Sequence, residues 1–310
     1  MEASVVKPEV MGQSDGLKED GDCGMLVGYV DDGAYSYAHS DPTILSSVLS
    51  SKYELLEDWM NCNKLVINPD KTHLMVMGTR KSAVKRNEVN INVGASTIYP
   101  TETEKLLGGQ LHQSLQWNHH IRDHESSMMK QLTTRINGLK KISTNATFNT
   151  RLMVANGAVM SKLVYLITLC GGAQKYLLKG LQVQQLTAAR TVCGFFSKWW
   201  SKKKLLDRVG WLSVRQLIQY HTVLQAHKTI QSRKPSPLYN SISTDHPKNT
   251  RSAASGQIRY GATFKTQSTF KYRALQWYNS VPFKVRQGSL YVVKRKLKGW
   301  IKDNVPIDWG

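Results

Sequence analysis

Cysteine is scarce in this chain and poorly spaced for chemistry. Four are present, Cys23, Cys62, Cys170 and Cys193, far apart and without a C-x-x-C pair. Neither a zinc knuckle nor a disulfide framework is expected, and a reducing intracellular compartment, nuclear or cytoplasmic, fits that usage. Long apolar runs are also missing: nothing approaches the ~18 residues of a membrane span. Residues 1–24 read as a flexible tail, and Met1 to Asp22 is polar and acidic, without the apolar core of a signal peptide. No internal repeat is visible. The most telling shortage is acidic charge beyond residue 110. Residues 111–310 carry 32 Lys/Arg against 6 Asp/Glu, a net +26, whereas residues 1–110 carry 10 against 16, a net −6.

A segment that basic calls for a polyanionic partner, because each cation placed at a phosphate releases a condensed counterion. An anionic membrane would ask for a single amphipathic basic helix. Here the basic residues are spread over many segments, so nucleic acid is the expected partner and a membrane is not. The length of 310 residues allows two or three domains, and a hydrophobic fraction of 41% is enough for a core.

Among what is present, Tyr29-Val30-Asp31-Asp32 stands out. Met25 to Val30 and Ala34 to Ala38 alternate as strands do, and Asp31-Asp32-Gly33 supplies turn chemistry between them. Magnesium in phosphoryl transfer takes one or two carboxylates and completes its shell with water and phosphate. An Asp-Asp-Gly turn with solvated carboxylates has the same sequence, so the neighbouring segments decide between the two. Asp41-Pro42 opens a helix, Asp41 as N-cap, and Ile44, Leu45, Val48, Leu49, Leu55, Leu56, Trp59 and Met60 form its core-facing stripe to about Asn63. Leu65 to Thr72 reads as a short strand entering an Asn-Pro-Asp turn, and His73 to Gly78 as a return strand. Val89 to Val93 and Ser96 to Tyr99 pair as a hairpin around Gly94-Ala95. Leu106 to Leu111 is apolar around Gly108-Gly109. After Trp117 the period changes from two to about 3.6. Helices are predicted over Ile121 to Ile142, Asn149 to Leu169, Tyr176 to Cys193, Val214 to Ile230, Phe270 to Asn279 and Leu290 to Lys302. Ser232 to Ser255, rich in Pro, Ser, Asn and Thr, reads as a linker.

This order of motifs resembles the carboxyl part of a reverse transcriptase from a non-LTR, LINE-type retrotransposon of the jockey-like sort. Tyr29-Val30-Asp31-Asp32 resembles the catalytic hairpin of that family. Trp59, Asn63 and Leu65 through Thr72 resemble its W-x-x-x-N-x-L-x-x-N-x-x-K-T element, and Lys105 through Leu111 its primer-grip segment, with Leu106 where an aromatic is usual. Gln185 to Gly194, Gly210 to Val214, Phe270 to Pro282 and Leu290 to Lys298 resemble the helical tail of such elements. The resemblance implies an α+β fold. Residues 25–115 would be a partial palm of antiparallel hairpins plus a helix, 116–231 a basic helical thumb, 232–255 a linker and 256–310 a basic helical C-terminal region. It implies an RNA-directed DNA polymerase using RNA template, DNA primer, dNTP and Mg²⁺. Asp31 and Asp32 would be metal ligands and catalytic residues. Lys71 would lie near the departing pyrophosphate, although a solvated lysine after a turn has the same sequence. Tyr29, Val30, Leu107, Gly108 and Gly109 would contact the primer. A viral RNA-dependent RNA polymerase also uses an Asp-Asp hairpin, but the Lys71-Thr72 turn, the Leu107-Gly108 element and the long basic tail favour the retroelement.

The family's fingers and its first catalytic aspartate belong upstream of the hairpin, and only 28 residues precede Tyr29. The chain is therefore expected to be a truncated element, inactive alone, with the thumb and tail of a non-catalytic nucleic-acid-binding fragment as the alternative. Primer extension on RNA with Mg²⁺ is expected to be absent both from this chain and from Asp31→Asn. Extension that vanished in the variant would overturn the truncation reading.

Two further groups invite chemistry. His119, His120 and His124 offer histidines four apart, but no cysteine or third ligand type lies near, and an exposed polar helix start is favoured over a metal site. Trp199 and Trp200 beside Lys202, Lys203 and Lys204 combine stacking surfaces with positive charge, as a single-strand contact does; a loop packing two tryptophans onto the thumb is the equal alternative. Lys294, Arg295, Lys296 and Lys298 read as a solvated helical face able to hold phosphate backbone.

Overall fold

A computed structural model describes residues 24–29, 32–78, 86–94, 96–194, 197, 199–241 and 269–309. They are mixed helix and strand, mostly helical, with three small antiparallel sheets of two strands each. Residues 1–23 of the predicted tail and most of the predicted linker lie outside the described residues. The described residues fall into two compact units: those of Met1–Lys105 with His112–Leu115, and those of Leu106–Leu111 with Gln116–Gly310.

In the first unit, β1 (Met25–Tyr29) pairs with β2 (Asp32–Ser36), Gly28 opposite Gly33 and Tyr29 opposite Asp32. Asp32 and Gly33 thus belong to the second strand, not to the turn the sequence assigned them. Helix α1 (Pro42–Cys62) starts as its sequence requires. Asp41 accepts the Thr43 amide at 2.8 Å, with Pro42 in the first turn, and that hydrogen bond holds the Asp41 carboxyl below its ordinary range. Its apolar stripe is only partly covered: Ile44, Leu55 and Trp59 are exposed, and Tyr53 is the helix's buried residue.

Of the strand, Asn-Pro-Asp turn and return strand predicted over 65–78, the turn forms and the two strands do not. Val66 is 90% exposed, and Leu74 makes a single bridge to Pro100. Asn68 folds the intervening chain into a tight 3-10 turn, Pro69–Lys71, by accepting the Asp70 amide at 2.9 Å. β3 (Ile91–Val93) and β4 (Ser96–Ile98) make the expected hairpin, and Gly94 takes the positive φ of +56° that such a turn demands. Val89, Ile91 and Val93 pack with Tyr53 and Leu74 into the small core of this unit. β5 (Thr103–Leu106) pairs with β6 (Gly109–His112).

The second unit has one large helical core. A π-helical turn, His119–Asp123, precedes α2 (Met128–Ser143). The single helix predicted from Ile121 is split because the chain turns at His124, whose Nδ1 accepts the Ser126 amide. α2 buries Met128, Leu132, Ile136 and Leu139, a four-four-three spacing that keeps one face inward. The predicted helix 149–169 forms as one helical run through α3 (Phe148–Val154), a π-helical segment Ala155–Met160 and α4 (Ser161–Val164), and is interrupted only before α5 (Ile167–Cys170). Leu166, at φ +57°, makes that break. α6 (Lys175–Cys193), α7 (Lys202–Val209), α8 (Val214–Ser232) and α9 (Ser236–Ser241) follow. Periodicity did not pick out α7, and the predicted linker begins where α9 lies. α10 (Phe270–Ser280), α11 (Phe283–Arg286) and α12 (Leu290–Asn304) complete the unit. Where the sequence suggested separate regions before and after the linker, the described helices on both sides of residues 242–268 share one core.

Buried amides knit that core. Gln182 donates to Gln185 at 3.0 Å and accepts the Val214 amide at 2.7 Å. Gln185 donates to the Leu212 carbonyl at 2.8 Å. Ser213 and Gln216 cap α8 reciprocally, and Gln216 also donates to the Val305 carbonyl at 2.8 Å. Gly210, at φ +71°, closes α7, and Trp211 donates to Asn156 at 2.8 Å. Each position of the Gly210-to-Val214 stretch therefore has a packing or hydrogen-bonding task.

Two buried histidines make this unit acid-sensitive. His120 and His227, 3% and 2% exposed, have pKa values pushed below 6.5 by burial, aided by Lys162 and Arg286 respectively. As pH falls below the unfolded value, the unfolded imidazoles take protons that the folded ones refuse. Stability is thus complete above about pH 6.5 and declines on acidification, by up to ~1.4 kcal/mol per pH unit for each histidine. Urea denaturation is expected to show a lower midpoint near pH 5.5 than near pH 7.5; equal midpoints would contradict it.

Candidate nucleic-acid interface

The sequence pointed to three places: the Asp-Asp hairpin with Lys71, the Leu107–Gly109 turn, and the Trp-Trp-Lys cluster. At the hairpin, Val30 and Asp31 lie outside the described residues, and of Tyr29 and Asp32 the structure describes the backbone pairing. Lys71 ends the Asn68-capped turn with its side chain exposed. Among the described residues no three His, Cys, Asp or Glu side chains gather as a metal site. His120 is committed elsewhere, its Nδ1 accepting the Gln110 amide at 3.1 Å, and His124 bonds Ser126. These two histidines thus serve the fold.

The second place is a strained turn. Leu107 and Gly108 connect β5 to β6 with φ values of +46° and +76°, the pair of positive values a two-residue hairpin turn of this hand requires. Glycine takes that conformation freely, whereas leucine takes it at a cost. Tyr165 holds it there: its hydroxyl donates to the Leu107 carbonyl, and its ring lies against Gly108, 3.3 Å from where a Cβ would stand. A Cβ on Gly109 would meet Leu166 at 2.9 Å. The two glycines are explained by this close packing. Leu106 and Leu107 remain exposed, and Lys162 lies 5.8 Å from the Tyr165 ring centre.

The third place is where predicted residues converge. Trp200 is half-buried and packs against the core, while Trp199 is 83% exposed. The two tryptophans therefore differ in burial. Ser201 caps α7 by accepting the Lys204 amide at 3.2 Å, placing Lys202, Lys203 and Lys204 in the first turn. Lys204 sits 4.7 Å above the Trp200 ring. A shallow cavity of about 470 Å³ is lined by Trp200, Ser201, Lys203, Lys204, Asp207 and Arg208. Arg208, one helical turn beyond Lys204, also lies 4.7 Å over Phe148. Lys202 pairs with Asp308 at 2.9 Å, and Lys302 with Asp207 at 3.3 Å.

Ser201, Asp207 and Arg208 were not singled out in the sequence because α7 was not. Its signal is there nonetheless: a serine cap, Leu205, Leu206 and Val209 as an apolar stripe, and a closing Gly210. Cys62, Cys170 and Cys193 are free, and burial pushes the Cys170 thiol up to about 12, which leaves it unreactive. Among the described residues no helix is long and apolar enough to cross a membrane. Comparison of the chain with protein-family models, curated proteins and solved structures finds no match.

Proposed function

We propose that this chain binds nucleic acid through the sugar-phosphate backbone, largely independently of sequence, using the basic surface of its helical unit. One observation carries the reading: residues 111–310 hold 32 Lys/Arg and 6 Asp/Glu, so pairing every carboxylate still leaves an excess of 26 cations. Phosphate is the ligand that such a surface recruits by counterion release. Titration of a labelled oligonucleotide over a salt series tests it, with a steep loss of affinity expected as salt rises.

The finer reading is a non-LTR reverse transcriptase lineage, acting on RNA template and DNA primer in the nucleus or cytoplasm. Its support is the order of Tyr29-Val30-Asp31-Asp32, the Trp59-to-Thr72 element and the Leu107–Gly109 turn along the chain. When bound, Mg²⁺ would supply phosphate activation at Asp31 and Asp32. Primer extension by the chain against Asp31→Asn tests for polymerase chemistry in the chain itself. Magnesium-dependent extension lost in the variant supports polymerase chemistry; no extension leaves nucleic-acid binding alone.

A further inference from the structure

Resting on the nucleic-acid reading, we propose that the cavity lined by Lys203, Lys204 and Arg208 is the docking point for the phosphate backbone. Binding is then concentrated at α7 and not spread evenly over the basic surface. The first support is a division among the cations of this region. Four are committed within the fold. Lys202 pairs with Asp308 at 2.9 Å and Lys302 with Asp207 at 3.3 Å. Lys298 donates to the Gly210 carbonyl at 3.3 Å, and Arg215 to that of Asp308. The three cations that line the cavity differ. Among the described residues, the side chains of Lys203, Lys204 and Arg208 make no hydrogen bond and no ion pair. Their N–H donors are left for a ligand from solution.

The second support is that two of these three are nonetheless held in place. Lys204 lies 4.7 Å over the Trp200 ring and Arg208 4.7 Å over that of Phe148, and both rings pack on the core. A cation–π contact fixes a long side chain through the ring face and consumes none of its N–H donors. Side chains fixed in advance lose less rotamer freedom when a ligand arrives. One helical turn separates Lys204 from Arg208, so both stand on the same side of α7. The planar guanidinium matches two phosphate oxygens at once, and the ammonium groups add point charge beside it. The single carboxylate lining the cavity, Asp207, is paired with Lys302, which offsets its repulsion of an anion.

The occupant follows from the surroundings. A volume of about 470 Å³ lies in the range of sites that hold small organic groups, enough for a phosphate with its sugar. A polymer seated there runs on over a segment with 26 excess cations, each able to meet a further phosphate. A free phosphate or a short acidic peptide forgoes those contacts, which makes either the less fitting occupant. Contacts of this kind position a strand without reading its sequence.

The test uses the full chain and the anisotropy of a labelled oligonucleotide of about 16 nucleotides over a salt series. The pair Lys203→Ala with Arg208→Ala is expected to weaken binding at low salt on the order of 10-fold. The salt slope is expected to fall by about two phosphate contacts. The control pair, Lys140→Ala with Lys141→Ala, removes the same charge from exposed positions in the last turn of α2. It is expected to stay within about threefold of wild type, with its slope unchanged. Equal losses in the two pairs, or unchanged affinity and slope in the cavity pair, overturn the proposal while nucleic-acid binding stands. Absence of binding by the wild type at the lowest salt overturns the underlying reading itself. Labelled polyglutamate bound more tightly than the oligonucleotide, and lost in the cavity pair, assigns the cavity to acidic polypeptides and overturns the proposal. If the cavity pair loses helicity by circular dichroism, Lys203→Glu decides in its place, since that side chain is exposed and bonds nothing in the fold. A loss on the order of 10-fold is expected there too, and affinity equal to wild type overturns the proposal.

Discussion

Raising salt from about 50 to 200 mM is expected to weaken nucleic-acid binding by this chain on the order of 10³-fold. The exponent is the number of phosphates neutralised. About six contacts bring a fall of that size on duplex DNA, and single strands, whose charge is less dense, give a shallower slope. Six is a modest demand on a segment with a net +26. Ion pairing removes little of that excess, because the segment has only 6 carboxylate side chains for its 32 cations. Among the described residues Arg122 pairs with Asp123, Lys202 with Asp308 and Lys302 with Asp207. Oligomers of equal length and shuffled sequence are expected to bind alike, since phosphate contacts position a ligand without reading it. The check is a set of binding isotherms at four or more salt concentrations. A flat profile, or no binding at the lowest salt, would remove the basic surface as a functional site.

Replacing Gln185 by leucine is expected to destabilise the helical unit by about 2–5 kcal/mol. The substitution keeps the volume and most of the apolar contact, so the loss isolates hydrogen bonding. Gln185 is fully buried; it accepts from Gln182 at 3.0 Å and donates to the Leu212 carbonyl at 2.8 Å. Leucine leaves a buried amide N–H and a buried carbonyl without those partners, each costing about 1–3 kcal/mol. The stretch affected is the one that seats the Ser213 cap of α8, so the damage reaches beyond one side chain. Equilibrium urea denaturation followed by circular dichroism measures it. A midpoint equal to wild type would show that the amide chain contributes nothing net, as apolar replacement of a buried polar network sometimes does.

Several elements are legible in the residues alone because their causes are local. Asp41-Pro42 announces α1 through a carboxylate that can reach the Thr43 amide and a proline whose missing N–H costs nothing there. Gly94 announces the β3–β4 hairpin through its positive φ. α6 and α10 run close to their predicted limits because apolar residues recur on one face. The breaks are not legible in that way. Leu166 and Leu107 adopt left-handed conformations that leucine disfavours, and they do so because Tyr165 and its neighbours pack them there. A propensity argument assigns such residues to the wrong conformation by construction.

Of the candidate site, the cluster Trp199, Trp200, Lys202, Lys203 and Lys204 is visible as composition, and the charge imbalance that surrounds it as simple counting. Charge, turn residues and periodicity belong to the chain itself and persist whatever it packs against. By itself the sequence determined the charge imbalance, the helix caps and the hairpin turns. The tertiary structure alone decided that Trp200 is half-buried against the core and Trp199 exposed, and that Lys204 lies over an indole while Asp207 is paired with Lys302. It also decided that helices on both sides of residues 242–268 share one core, and that part of the α1 stripe stays exposed. The physical reason is the same in each case. An apolar or charged face is a property of one segment, whereas what covers it is supplied by residues distant in sequence, whose approach no local period encodes.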